Sequence, residues 1–476
     1  MCAATTGVDA FSMVAWNPNA HTLTERVRIP VTGASWAVKG PDGSTVEAQA
    51  VALDPRTLQL PLLYLNKFGM NDVQVAAALD DLENNATHHL VFEISVPPVG
   101  SAAYAVTKAT DESPAAALAK IRASSGDFTV ENKYYSLGFI NHTLTSITNK
   151  AAEKTVDLGI QWGWYNSSVG GCTEYGPDVP KDIQEDPCSG QSSGAYIFRP
   201  NSSDFLYPAA PSAPISSIVE GPLVTEVFTQ VSEWATHVIR LYKDANYVEV
   251  EWTAGPIPID TPWFDQVNPG QPNNWGKELV VRYTSGVASQ GAWYTDSNGK
   301  EMLRRVYNKR GPTYPMPYNI SEPVAGNYYP VNAMMSLDDG TYELAILTDV
   351  SQGGASLMDG SLEFMVHRRL QQDDSRGVQE PLNETMCGCN DIGATPGQMG
   401  AHGHEGDGGC DCEGLTMRGR HWLIFDTIDN THEARRVQSE VLNFPATLAF
   451  HKPAAAAAKL ASGITQALPP LPSRGV

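Results

Sequence analysis

A chain of 476 residues, 42% hydrophobic and with Trp, Tyr and Phe spread along its length, can fill roughly three globular domains and bury a large core. Its 32 Lys and Arg against 53 Asp and Glu give a formal charge of -21, which repels phosphate backbones and argues against a nucleic-acid partner. No run of about 18 apolar residues offers a membrane span, so no membrane partner is expected.

Met1 to Trp16 has neither a basic start nor an apolar stretch of signal-peptide length, so no signal peptide is expected there. In HTLTERVRIPV, Leu23, Val27, Ile29 and Val31 keep to one face of a strand by their period-two spacing. An Ala/Ser-rich stretch from Ala105 to Asp127 is a soft domain boundary, and Pro114 to Ser124 within it patterns as a helix. The run HVIRLYKDANYVEVEWT predicts a hairpin. Val248, Val250 and Trp252 alternate with Tyr247, Glu249 and Glu251, and Lys243 to Asn246 form the turn. Further strands are expected at Lys277 to Tyr283, Tyr342 to Thr348 and His421 to Asp426, and a second helix at Asn430 to Leu442 with Asn430 as its cap. Short strands punctuated by Gly, Pro, Asn and Asp predict antiparallel sandwiches, followed by a low-complexity, disordered tail at 453–476.

Seven cysteines (Cys2, Cys172, Cys188, Cys387, Cys389, Cys410, Cys412) and six glycosylation sequons, at Asn85, Asn141, Asn166, Asn201, Asn319 and Asn383, point to an oxidising secretory route. A secretory-type body without an export signal suggests a fragment. Cys172 and Cys188 flank a polar segment, and a bridge between them would close a short loop worth about 3 kcal/mol on an entropic account. Cys387, Cys389, Cys410 and Cys412, with His402 and His404, hold the donor types for a tetrahedral zinc at a spacing that fits no zinc module. Trp162 and Trp164 of QWGWYN share one face of a strand, with Tyr165 on the other. An exposed pair would stack on sugar rings, but core packing is the expected fate of such residues.

Composition and periodicity stop at a secreted-type β protein, because 53 acidic residues offer no way to pick a catalytic pair. Longer strings carry more. SGAYIFRP (Ser193 to Pro200), EWTAGPIPI (Glu251 to Ile259), YTDSNGKEMLRR (Tyr294 to Arg305), PVAGNYYPVNA (Pro323 to Ala333), DGSLEFMVHRRLQQDDSRG (Asp359 to Gly377) and CEGLTMRGR (Cys412 to Arg420) stand in order along the chain. In them the sequence resembles the C-terminal, β-rich half of acid (lysosomal-type) α-mannosidases of glycoside hydrolase family 38, from about Met13 to His451. The resemblance implies a mainly β chain of antiparallel β-sandwich domains in tandem, with a galactose-mutarotase-like supersandwich flanked by smaller β domains and few helices. It divides the chain into a small sandwich at 1–110 and a supersandwich region at 111–452 that carries a Gly/Cys-rich insertion at 386–412.

Such enzymes are retaining exo-glycosidases acting on terminal α-mannose of N-glycans, in lysosomes, vacuoles or secretions. Two carboxylates do the chemistry and zinc grips the sugar. By resemblance the zinc ligands, the nucleophile and the general acid lie in an N-terminal barrel whose motifs this sequence lacks. The chain is thus expected to bring no catalytic residue, metal ligand or cofactor of its own, and to partner the catalytic half and mannose-containing glycans. Tyr196 matches a family tyrosine that reaches toward mannose; the alternative is an aromatic buried between Ala195 and Ile197. Arg376, with Asp374 beside it, is expected to border the active site. The alternative is that Arg368, Arg369, Asp373, Asp374 and Arg376 pair with one another across a turn. Where the family has glycine in DDGRG this chain has Ser375, so a positive φ there would carry strain. Related chains also place a cysteine ahead of CEGLT that can pair with it, which implies a disulfide within the insertion. Two functions follow as expectations: an inactive part that supports the catalytic barrel, or a stand-alone carbohydrate-binding module without catalysis.

Overall fold

The computed structural model describes residues 4–58, 60, 86–110, 116–123, 126–168, 191–206, 216–258, 276–309, 322–370, 372–377, 381–384 and 414–452. Among them the strands form four sheets that stack as two sandwiches. The first pairs a five-stranded sheet, ordered Thr447–His451, Ala10–Asn17, Gly100–Lys108, Trp36–Lys39 and Thr45–Val46, with a four-stranded one, ordered Leu23–Val31, His88–Val96, Ala48–Ala52 and Ala117–Leu118. Leu23, Val27, Ile29 and Val31 all point inward, as their alternation predicts, and Phe11, Trp36, Phe92 and Tyr104 fill the layer between the sheets.

The second and larger sandwich sets eight strands against ten. Along the eight-stranded sheet run Phe128–Glu131, Tyr135–Ile140, Thr143–Asn149, Lys154–Asn166, Lys277–Ser285, Ser361–Arg369, Gln352–Ala355 and Tyr329–Val331. The ten-stranded sheet runs Glu301–Val306, Ala292–Ser297, Met334–Asp338, Tyr342–Thr348, Met417–Thr427, Val248–Ala254, Ala235–Tyr242, Val224–Ser232, Ser216–Glu220 and Lys120–Ala123. Between them lies a core that includes Trp162, Trp164, Trp252, Trp293 and Phe364. Trp162 and Trp164 therefore pack inward and cannot stack on sugar. Tyr165 faces the other way, into a small cluster with Val280 and Val324. The expected hairpin is present, and its second strand is covered on both faces. Val248, Val250 and Trp252 enter the core, while Tyr247 stacks on Trp422 at a 3.8 Å centroid distance.

That outer stack belongs to a third core, where the small sandwich leans on the ten-stranded sheet through Val51, Val91, Val224 and Tyr242. Gln49 locks the junction: its Oε1 accepts from Leu223 N (2.8 Å) and Val224 N (3.0 Å), and its Nε2 donates to Val224 O (3.0 Å). Arg28 of the small sandwich reaches Glu226 at 2.6 Å.

Two helix expectations are corrected. Pro114 to Ser124 contains no helix among its described residues; Ala117–Leu118 pairs in parallel with Gln49 and Ala50, and Lys120–Ala123 pairs with Ser217 to Glu220. An alanine-rich stretch too short to be helical alone follows the free sheet edges it meets. The C-terminal helix is present but starts earlier, spanning Ile428–Asn443, and its cap position is Thr427, with no side-chain capping bond. Asn430 lies inside the first turn and donates instead to Asp426 Oδ1 at 3.2 Å. Cys2, Cys172, Cys188, Cys387, Cys389, Cys410, Cys412, His402, His404, Asn85, Asn319 and the 453–476 tail lie outside the described residues.

Candidate functional site

The strand Lys154–Asn166 ends where Lys277 and Arg369 also stand, since Asn166 pairs with Lys277 and Lys277 with Arg369. Two segments fold over this end of the eight-stranded sheet, 191–200 and 373–377. They hold each other directly. Ser192 Oγ donates to Asp373 O (2.6 Å) and Gln191 Nε2 to Asp374 O (2.9 Å). Asp374 is 1% exposed; its Oδ2 accepts from the backbone N–H groups of Tyr196 (2.6 Å) and Ile197 (3.0 Å), and its Oδ1 from Arg376 N (3.0 Å). Gly194 makes the approach possible, because a Cβ there would lie 2.5 Å from Asp374 N. Burial pushes the Asp374 carboxyl up, but those three N–H donors and the nearby Arg368 outweigh it and leave it below the ordinary carboxylate range.

This arrangement brings Tyr196, Asp374 and Arg376 into one patch. Tyr196 is not buried between its neighbours; the residue is 67% exposed. Arg376 is exposed too, and its Nη2 donates to Gln191 Oε1 at 2.6 Å. Ser375 adopts φ +59°, so the position does require the left-handed conformation.

The charges of the HRRLQQDDSRG run do not pair with one another as side chains. Arg368 goes to the buried Glu278, donating through Nε to Oε2 and through Nη2 to Oε1 (3.2 Å), and its Nη2 also reaches Ile197 O at 2.9 Å. Arg369 donates to Asn383 Oδ1 (2.8 Å) and Ile257 O (2.7 Å). Ser193 Oγ bridges Glu278 Oε1 and Ile197 O. On the same outer face of the sheet Glu363 accepts from Arg282 Nε (2.8 Å), Tyr165 Oη (3.0 Å) and Tyr328 Oη (2.6 Å). Phe198 packs edge-on to Tyr328 beside that group, so the segment after Tyr196 is anchored as well. Gln191, Ser193, Gly194 and Glu278 escaped the sequence reading. The available signal was Glu278, a carboxylate set directly against the apolar run Leu279 to Val281.

Four sequon asparagines are described. Asn141 sits exposed at φ 48° in the turn between Tyr135–Ile140 and Thr143–Asn149. Asn166, Asn201 and Asn383 are half-buried, with the Asn383 side chain engaged by Arg369. Among the described residues no three His, Cys, Asp or Glu side chains converge as a metal requires, so these residues do not fit a zinc ion. No helix among them is long and apolar enough to cross a membrane.

A family model described as "Glycosyl hydrolases family 38 C-terminal domain" matches residues 130–376, which include Tyr196, Asp374 and Arg376. Lysosomal alpha-mannosidase of Bos taurus is 32% identical over 443 residues, covering 93% of this chain and 35% of its own length. The human lysosomal alpha-mannosidase is 34% identical over 435 residues, covering 90% and 35%, and an alpha-mannosidase of Canavalia ensiformis is 32% identical over 449, covering 92% and 39%. The chain thus spans between a third and two fifths of the length of these relatives. A crystal structure of an alpha-mannosidase from Enterococcus faecalis matches at a TM-score of 0.47 and 14% identity, covering 93% of this chain and 46% of that one.

Proposed function

Since this chain belongs to the family of glycosyl hydrolase family 38 C-terminal domains, we propose that it is the β-rich part of an α-mannosidase that removes terminal non-reducing α-D-mannose from N-glycans. In this reading it buttresses a zinc-containing N-terminal catalytic part, which is its partner, and supplies the rim of that part's pocket. The working compartment is lysosomal, vacuolar or secretory.

The observation that carries the reading is the state of the patch. Retaining hydrolysis needs one carboxylate free to attack and one carboxyl able to give a proton at working pH. Asp374 is committed to three backbone N–H donors and held below its ordinary pKa, so it gives up no proton in that range. Glu278 is buried against Arg368. What the patch presents outward is a phenol and a guanidinium. Tyr196 Oη can donate to and accept from sugar hydroxyls, and Arg376, steered by Gln191, offers a planar fork of donors. These are means of binding and orienting a sugar.

The purified chain is expected to release no p-nitrophenol from p-nitrophenyl α-mannoside at acid pH, and to support release when combined with the catalytic part. Turnover by the chain alone overturns the reading. Calorimetric titration with mannose oligosaccharides separates the other possibility: heat of binding without the catalytic part favours a stand-alone carbohydrate-binding module.

A further inference from the structure

Tyr196 combines two properties that pull apart: its ring stands in solvent, yet the backbone that carries it is held from both sides. On the outer side the Asp374 carboxylate takes the N–H groups of Tyr196 and Ile197. On the inner side Glu278, 0% exposed, and Arg368 act on the same turn. They face each other across paired strands, Glu278 opposite Arg368. Glu278 Oε1 takes the Ser193 hydroxyl, Arg368 Nη2 donates to Ile197 O, and Ser193 Oγ also accepts from Arg199 N at 3.1 Å. Gly194 N closes the turn on Ile197 O at 2.9 Å.

Burying a carboxylate and a guanidinium costs desolvation that their attraction does little more than offset, so such a pair is a poor device for stability alone. It is a good device for geometry. An exposed aromatic side chain on a loose turn loses conformational freedom when it binds, and fixing its backbone beforehand removes much of that cost. We propose that Glu278 and Arg368 are positioning residues for Tyr196, acting through Ser193 and the Ile197 carbonyl to hold the 193–197 turn in the form that presents the ring to sugar. The proposal rests on the reading of Tyr196 as a sugar contact.

Hydrogen exchange on the chain tests the clamp without any ligand. Glu278→Gln should speed exchange of the Tyr196 and Ile197 amides by about tenfold while the amides of Val248–Ala254 keep their rates. Ser193→Ala leaves the buried pair in place and should give a smaller rise at the same two amides, and it decides the matter if Glu278→Gln does not fold. Unchanged exchange at both amides overturns the proposal. In the enzyme assembled with its catalytic part, Glu278→Gln should lower kcat/KM for a mannose oligosaccharide, chiefly through KM. Combined with Tyr196→Ala it should do no further damage, because a positioning residue acts only through the ring it positions. Additive losses overturn it. Wild-type hydrolysis by Tyr196→Ala would remove the sugar-contact reading, while the exchange result still decides the clamp.

Discussion

Ser375 carries a side chain through backbone that glycine enters freely. At φ +59° its Cβ crowds the carbonyl, a cost of roughly 1–2 kcal/mol for an ordinary L-residue. Its N–H donates to Asp373 Oδ2 at 3.0 Å, so the turn is kept despite the strain. Ser375→Gly should therefore stabilise the protein, by about 0.5–1 kcal/mol once the looser unfolded chain is counted. The readout is a higher midpoint in chemical denaturation; an equal or lower midpoint would mean that the turn already absorbs the strain. The need for a positive φ was legible only as a conditional, from a serine standing where the family carries glycine. Its neighbours in space were not legible: Gln191 lies 185 residues from the Arg376 that it steers.

At the level of elements, alternation was a dependable guide wherever one face of a strand meets a core and the other meets something else. Tyr342–Thr348 came out as expected, to the residue. Alternation failed to announce what covers the second face. Glu249 and Glu251 look like a solvent-facing set, yet Glu249 is 2% exposed and both turn onto Arg240, at 3.0 and 2.9 Å, with Glu226 at 3.2 Å. Burial pushes the Arg240 guanidinium down, and the three carboxylates more than reverse it, holding it well above its ordinary value. Arg240→Met would leave Glu249 without its ion-pair partner and take one of two from Glu226 and Glu251, which keep Arg28 and Arg418, and should cost about 3–5 kcal/mol, seen as a lower denaturant midpoint. A loss under 1 kcal/mol would mean that water enters the junction and screens them. The Pro114 to Ser124 expectation failed for the complementary reason. Local propensity cannot see an open edge strand contributed by residues 49–50 or 217–220.

Over the whole molecule, acidity acts on buried imidazoles. His421 is fully enclosed by Trp252, Tyr283 and Phe364, hydrogen-bonded to Tyr283 Oη (2.8 Å) and Gln352 (3.0 Å), and burial lowers its pKa from 6.5 to about 3. His237 is lowered to about 4 by the same cause. With folded values below unfolded ones, each ring's stability contribution is complete above pH 6.5 and is lost as the pH falls toward the folded value. Two pH units into that window His421 alone removes roughly 2–3 kcal/mol. Burial raises Glu25, Glu343 and Asp349 instead, and these regain stability as the pH falls to the ordinary carboxylate range. His421→Gln should accordingly flatten the dependence of unfolding free energy on pH between 6.5 and 4.5, and identical slopes would refute the account.

The pairing of Thr447–His451 with Ala10–Asn17 also governs the order in which the molecule can be made. A ribosome releases residues 10–17 more than four hundred peptide bonds before residues 447–451 emerge, and for that interval the edge of the strand that does not pair with Gly100–Lys108 waits with bare amides and carbonyls. Synthesis halted before residue 447 would leave that seam permanently open, a template on which unfinished copies could aggregate. Maturation is thereby tied to translation reaching the far side of the C-terminal helix.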